Sequence, residues 1–165
     1  MTNANEPKDP VALKESGNEY YKNGQNEEAI EAYSEAIDIC EERKDEKTLA
    51  ICLKNRAAVY LKQENFDATI EDCTRCLELS PNDPKALFRR CQAYEAVAKV
   101  DSAYQDAREC HRVDPNNAAL QPVLVRLHKA VSEKVSIKNF NLFSSSCGAQ
   151  PYPRDVSSLS SSSNI

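Results

Sequence analysis

Lys14 and Asn18 stand four residues apart, as do Lys85 and Arg89. On a helix that spacing puts each pair on one face. Two cations at i and i+4 repel each other unless an anion lies between them, so Lys85 with Arg89 points to an anionic ligand. Lys14, Lys85 and Arg89 can supply charge-assisted hydrogen bonds, and Asn18 and Asn55 can donate amide hydrogens without adding charge. A solvated helix face can hold the same residue types, and spacing alone does not separate the two readings. Catalysis needs a constellation that is missing here. There is no Gly-rich phosphate loop, and the two histidines are His111 and His128. His111 has Cys110 and Asp114 near it in sequence, but no motif supplies the remaining ligands of a metal site. Both histidines are read as surface or packing residues. Cys73-x-x-Cys76 looks like half a zinc or redox motif, yet it has no second pair and sits mid-helix, so core packing is expected. No enzyme activity, cofactor or metal is expected.

The elements that must position these residues come from an internal repeat. Tyr60 and Tyr94 are 34 residues apart, as are Ala57 and Cys91, and Pro81 and Pro115. An earlier copy begins at Gly17-Asn-Glu-Tyr20, with Tyr20 lying 40 residues before Tyr60, so the first unit carries six extra residues around 40–49. Shared between two antiparallel helices, six residues add nearly one turn to each. Each unit reads as two helices. Ala29, Tyr33, Ala36 and Ile37 recur at helical spacing, as do Leu53, Ala57, Tyr60 and Leu61, and Phe88, Cys91, Tyr94 and Val97. Turn signals separate the helices at Asn23-Gly24, at Asn82-Asp83-Pro84 and at Asp114-Pro115. Asp83 before Pro84 is a good N-cap followed by proline at the first helical position. Asn55 and Arg89 occupy the same repeat position, 34 residues apart. In a stack of repeats, equal positions line one surface, so Asn55 and Arg89 become neighbours and Lys14 with Asn18 faces the same groove. After Pro115 a further helix is expected from about Asn117 to Lys138, with Val123, Leu124, Leu127, Val131 and Val135 as its apolar stripe. Pro122 either kinks it or marks its start. It reads as a cap on the last repeat.

With 165 residues the chain is long enough for one domain with a real core. Three glycines are few for an all-β chain, and 28% charged residues with 7% aromatics suit solvated helices around a modest core. The net charge of −5 argues against non-specific nucleic-acid binding, so an anion site must be a local basic cluster on an acidic body. No apolar run reaches the length of about 18 residues that a membrane span needs. The polar amino terminus is not a signal peptide. The seven cysteines are then reduced thiols, and a cytoplasmic location is expected. Residues 1–9 are expected to be disordered, residues 10–138 to form the repeat domain, and the Ser-rich stretch 139–165 to be disordered.

The 34-residue period, with small-x-x-Tyr, then Ala-x-x-x-aromatic, then Pro, resembles the tetratricopeptide signature. The resemblance implies an all-α, right-handed superhelix of three helix-turn-helix repeats plus a C-terminal capping helix. Lys14-x-x-Gly17-Asn18, Asn55-Arg-Ala-Ala and Lys85-x-x-x-Arg89 resemble the dicarboxylate-clamp modules of chaperone co-factors. In that family, residues at the places of Lys14, Asn18, Asn55, Lys85 and Arg89 grip both carboxylates of a terminal Asp. The ligand is the Glu-Glu-Val-Asp tail of the 90-kDa or 70-kDa heat-shock chaperones. Upstream apolar ligand residues are expected beside Tyr21 or Phe88. The stretches from Asp83 to Ala96 and from Leu120 to His128 are similar to the amino-terminal module of the UCS-domain myosin chaperones. Members of that family continue into armadillo-type repeats and a myosin-binding domain, which the Ser-rich stretch does not resemble. The expectation is a short form that keeps chaperone docking, competes with longer co-chaperones and contacts myosin only if other domains were present. The alternative is a scaffold for another acidic-tail partner. No nucleic-acid or membrane partner is expected.

Overall fold

The expected units resolve into helix pairs. The computed structural model describes residues 8–146. These form seven helices and, among the described residues, no strand. They are α1 (Pro10–Lys22), α2 (Asn26–Arg43), α3 (Glu46–Lys62), α4 (Phe66–Leu79), α5 (Pro84–Ala96), α6 (Val100–Val113) and α7 (Leu120–Ser146). Helix pairs α1/α2, α3/α4 and α5/α6 are the three repeats, and α2 packs on α3 as α4 packs on α5. The first helices also meet each other, α1 on α3 and α3 on α5. This places α1, α3 and α5 side by side on one face of the stack, as the repeat register requires. The chain divides into two compact units at Ser132/Glu133, and everything that follows on packing and the site concerns the first.

The six extra residues lie where the two helices of the first unit junction lengthen. α2 has 18 residues against 14 in α4. α3 has 17 against 13 in α5. Four residues, about one turn, are added to each helix, while Lys44 and Asp45 alone link them where residues 80–83 link α4 to α5. The packing phase is therefore preserved. Asp9, Asp45, Asn65 and Asp83 accept backbone N–H bonds as N-caps, and Pro10 and Pro84 follow at positions whose missing N–H costs nothing. Order thus begins before Pro10. Lys8 pairs with Glu35, and its carbonyl accepts from Arg43 at 3.1 Å.

The turn inside each repeat is built one way. Gln25, Asn65 and Lys99 donate their N–H to the carbonyls of Tyr20, Tyr60 and Tyr94 at 2.9, 2.9 and 2.8 Å. The residue before each donor is left-handed: Gly24 (φ 79°), Glu64 (φ 59°) and Ala98 (φ 57°). This is the glycine-type helix stop, and only the first copy uses glycine, which is why only Asn23-Gly24 announced itself in sequence.

One apolar cluster runs through the stack, from Ile37 and Leu53 through Cys76, Leu87 and Cys91 to Cys110, Leu120 and Leu127. Ala29, Tyr33 and Val59 form a second, with Tyr21 packed against it. Gly17 is buried where α1 meets α2, and a Cβ there would stand 2.7 Å from Tyr33 Cε1. The small-residue position is obligatory in this repeat because an aromatic ring lies on it. Cys73 and Cys76 are buried, and burial pushes their thiols up to about 12 and about 11, so they act as neutral packing groups. The six described cysteines are free thiols, and no group of three or more metal-ligating side chains comes together among the described residues.

A second repeating device passes unseen in the hydrophobic pattern. Arg56 grips Asp72 with two bonds of 2.8 and 2.7 Å and also donates to Ser34. Arg90 grips Asp106 at 2.7 and 2.8 Å and donates to Thr74. Each arginine ties together the two helices of its own repeat and the second helix of the one before. The carboxylates of Asp72 and Asp106 are almost fully buried, so each pair is committed.

α7 starts at Leu120, with Pro122 in its first turn where no intrahelical donor is needed. Leu120, Val123 and Leu127 are buried and Leu124 packs on the core. Arg126 reaches back to Glu95 on α5 with bonds of 2.6 and 2.9 Å. Leu120, which was not expected in the stripe, completes it, and Val135 belongs to the second unit. The helix continues past 138 to Ser146. The rest of the Ser-rich stretch, residues 147–165, and residues 1–7 lie outside the described residues.

Candidate functional site

Lys14 and Asn18 sit on α1, Asn55 on α3, and Lys85 and Arg89 on α5. Asn55 Nδ2 donates to Asn18 Oδ1 at 3.0 Å, which joins α1 to α3. The same Oδ1 accepts the Tyr33 hydroxyl at 2.7 Å from α2. Arg89 Nη1 donates to the Lys54 carbonyl, which joins α5 to α3. Lys85 and Arg89 line a cavity of about 410 Å³ with Tyr21, Ala58, Leu61, Lys62, Phe88 and Gln92. Tyr21 and Phe88 thus stand in one wall with two of the cations. Lys14, Asn18 and Asn55 do not line this cavity. Lys14 is half-buried one turn before Asn18, near enough to Cys52 for its charge to favour the thiolate. Burial outweighs that effect and pushes the Cys52 thiol up to about 12.

The electrostatics of the cavity are one-sided. Its wall contains Lys62, Lys85 and Arg89 and no carboxylate, on a chain whose net charge is −5. Lys62 leans over the Tyr21 ring, 5.3 Å from its centroid, and donates to Asn26. Among the described residues the Lys85 ammonium takes part in no ion pair, and Arg89 spends one of its five N–H donors on Lys54. Burial pushes the Tyr33 phenol up to about 12, so it stays protonated and a donor at neutral pH. An arrangement of unspent cations and amide donors over an apolar wall can take a carboxylate with an apolar neighbour.

Sequence reasoning missed two members of this neighbourhood. Lys62 lies seven residues after Asn55, two turns along the same face, and that spacing was the available signal. Lys54 stands at the repeat position of Lys14, 40 residues later, but it is held by Asp83 in a half-buried ion pair. Nothing in the spacing of Lys54 reveals that it is spent.

Residues 50–83 match the Tetratricopeptide repeat family model, and residues 17–43 match the TPR repeat model. The chain is 40% identical over 130 residues to Protein unc-45 homolog B of Xenopus laevis, covering 79% of this chain and 14% of that protein. It therefore spans a small part of the length of this relative. It resembles the structure of the myosin chaperone UNC-45 from C. elegans in complex with an Hsp90 peptide, with TM-score 0.71 and 35% identity over 77% of this chain and 14% of that one. It also resembles the first TPR of Spaghetti (RPAP3) bound to the HSP90 peptide SRMEEVD, with TM-score 0.68 and 28% identity over 74% of this chain and 93% of that one.

Proposed function

The chain belongs to the tetratricopeptide-repeat family, and from that premise we propose that it is a cytoplasmic adaptor whose groove holds the acidic carboxyl-terminal tail of Hsp90, with the corresponding tail of Hsp70 as a second ligand. It works by binding alone. The observation that carries this reading is the carboxylate-free wall of Lys85 and Arg89 beside the bonded pair Asn18–Asn55. Two solved neighbours, UNC-45 and the first TPR of Spaghetti, hold Hsp90 peptides, and one of those peptides ends in Glu-Glu-Val-Asp. A terminal Asp carries two carboxylates close together. Lys14, Lys85 and Arg89 meet that charge, and Asn18 and Asn55 select oxygens by amide geometry. The apolar residue before the Asp rests against Tyr21 and Phe88. Residues 10–138 constitute the docking module.

Each charge-assisted bond nets about 1.5–3 kcal/mol. Ordering a flexible tail costs about 2–5 kcal/mol. A micromolar complex, about −8 kcal/mol, follows. The test is fluorescence anisotropy of a labelled Met-Glu-Glu-Val-Asp peptide titrated with this chain and with Arg89→Ala. Micromolar binding that weakens at least about tenfold in the variant, and that falls as salt is raised, is the expected outcome. Binding indifferent to Arg89, or to amidation of the peptide's terminal carboxylate, would sink the clamp and leave a scaffold for a different partner.

A further inference from the structure

Asn18, like Asn55, serves a carboxylate with only one end of its amide, so its usefulness depends on which end faces the ligand. Its amide has an oxygen that repels a carboxylate and an NH2 that binds one. Two donors converge on the oxygen, the Tyr33 hydroxyl at 2.7 Å and Asn55 Nδ2 at 3.0 Å, and this leaves the NH2 unspent. We propose that Tyr33 is a positioning residue of the groove, whose phenol turns the Asn18 amide so that its NH2 meets the incoming carboxylate. This deepens, and rests on, the carboxylate-clamp reading of the same site.

The reversed amide is disfavoured by simple accounting of donors. Turning Asn18 alone would set its NH2 against the NH2 of Asn55. Turning both amides would take Asn18 Oδ1 away from the buried Tyr33 hydroxyl, which donates to it at 2.7 Å. Tyr33 is 1% exposed, so it acts on Asn18 and not on the ligand. It reaches Asn18 because the preceding residue is Gly17, over which the ring lies at 2.7–3.0 Å from the place of a Cβ. The repeat register supports the pairing. Asn18 corresponds to Ala58 and Gln92, and Tyr33 to Cys73 and Ala107, so the phenol occurs in the one repeat that has an asparagine to orient. Its raised pKa keeps the donor proton in place at neutral pH.

The experiment is a double-mutant cycle of Tyr33→Phe and Asn18→Ala, read by anisotropy with the labelled Met-Glu-Glu-Val-Asp peptide. Tyr33→Phe keeps the ring and should weaken binding about threefold to tenfold, the worth of one hydrogen bond. In the Asn18→Ala background it should have no further effect, because nothing remains to orient. Equal binding of Tyr33→Phe and wild type overturns the proposal. So does the same loss in both backgrounds, which marks a general packing effect. Absence of binding by wild type overturns the clamp reading itself, and with it this one. Should Tyr33→Phe fail to fold, nitrogen–proton correlation NMR of wild type decides. The Asn18 side-chain NH2 signals should move on adding peptide, and their indifference overturns the proposal.

Discussion

Gly17→Ala isolates the closest approach in the first repeat. In the middle of a helix, alanine in place of glycine ordinarily stabilises by about 1 kcal/mol. Here the new Cβ would lie 2.7, 2.9 and 3.0 Å from three atoms of the Tyr33 ring. Carbon atoms rest at about 3.5–4.0 Å, so α1 and α2 must part by nearly 1 Å or the ring must leave its place. Overpacking of this kind costs about 1–3 kcal/mol. Set against the helical gain, the net expectation is a loss of about 1 kcal/mol. Urea unfolding followed by circular dichroism measures it. The same displacement carries the Tyr33 hydroxyl away from Asn18, so peptide affinity should fall together with stability. Adding Tyr33→Cys recreates the pair that the second repeat has in Ala57 and Cys73. The double variant should then lose less than the sum of the two single losses. A Gly17→Ala protein stabilised by about 1 kcal/mol would refute the reasoning, since it would mean that the ring does not lie on the glycine in solution.

Asp72→Ala should destabilise by about 3–5 kcal/mol in the same assay, because it strands the Arg56 guanidinium without its carboxylate. Replacing both Arg56 and Asp72 by leucine should cost much less. Asp83 should shape the acid limb of stability. Burial would raise its pKa, but the Lys54 ammonium and the backbone N–H groups of Ala86 and Lys85 outweigh burial and hold it below the usual carboxylate range. A depressed folded pKa gives stability that is present above the unfolded value of about 3.9 and is lost as pH falls through the folded value. Asp83→Asn, which keeps the cap, should therefore show a shallower loss in acid unfolding below about pH 4 than wild type. His111 stands at the repeat position of Ile37 and Leu77, and its Nδ1 is buried without a hydrogen-bond partner. His111→Leu should raise the melting temperature, with a gain of about 1 kcal/mol.

The helical repeat was legible because its period is a local property written three times. A 34-residue spacing of small residues, tyrosines and prolines fixes two helices per unit and places α1, α3 and α5 side by side. That puts Asn55 and Arg89 on adjacent helices and brings Asn55 within bonding distance of Asn18. Even the six-residue insertion could be assigned to two helices, since each can absorb about one turn without changing phase. The left-handed turns at Glu64 and Ala98 were not legible, because neither residue type favours that backbone. Leu120 lies on the same helix face as Val123, Leu124 and Leu127 and was missed only because the expected stripe began after Pro122.

The sequence by itself determined which residue types lie on the first helices of the repeats, which meet on one face of the stack. Tertiary structure decided which of them remain available there. Lys14 and Lys54 are the same residue at the same repeat position, yet Asp83, from a turn 29 residues further on, takes Lys54 out of use. Tyr33 from the neighbouring helix donates to the Asn18 amide oxygen, and Lys62 arrives beside Tyr21 in a wall without carboxylates. A period encodes equivalence between positions. The pairing of charges and the direction of a hydrogen bond depend instead on distances across helices, and those exist only once the chain has packed.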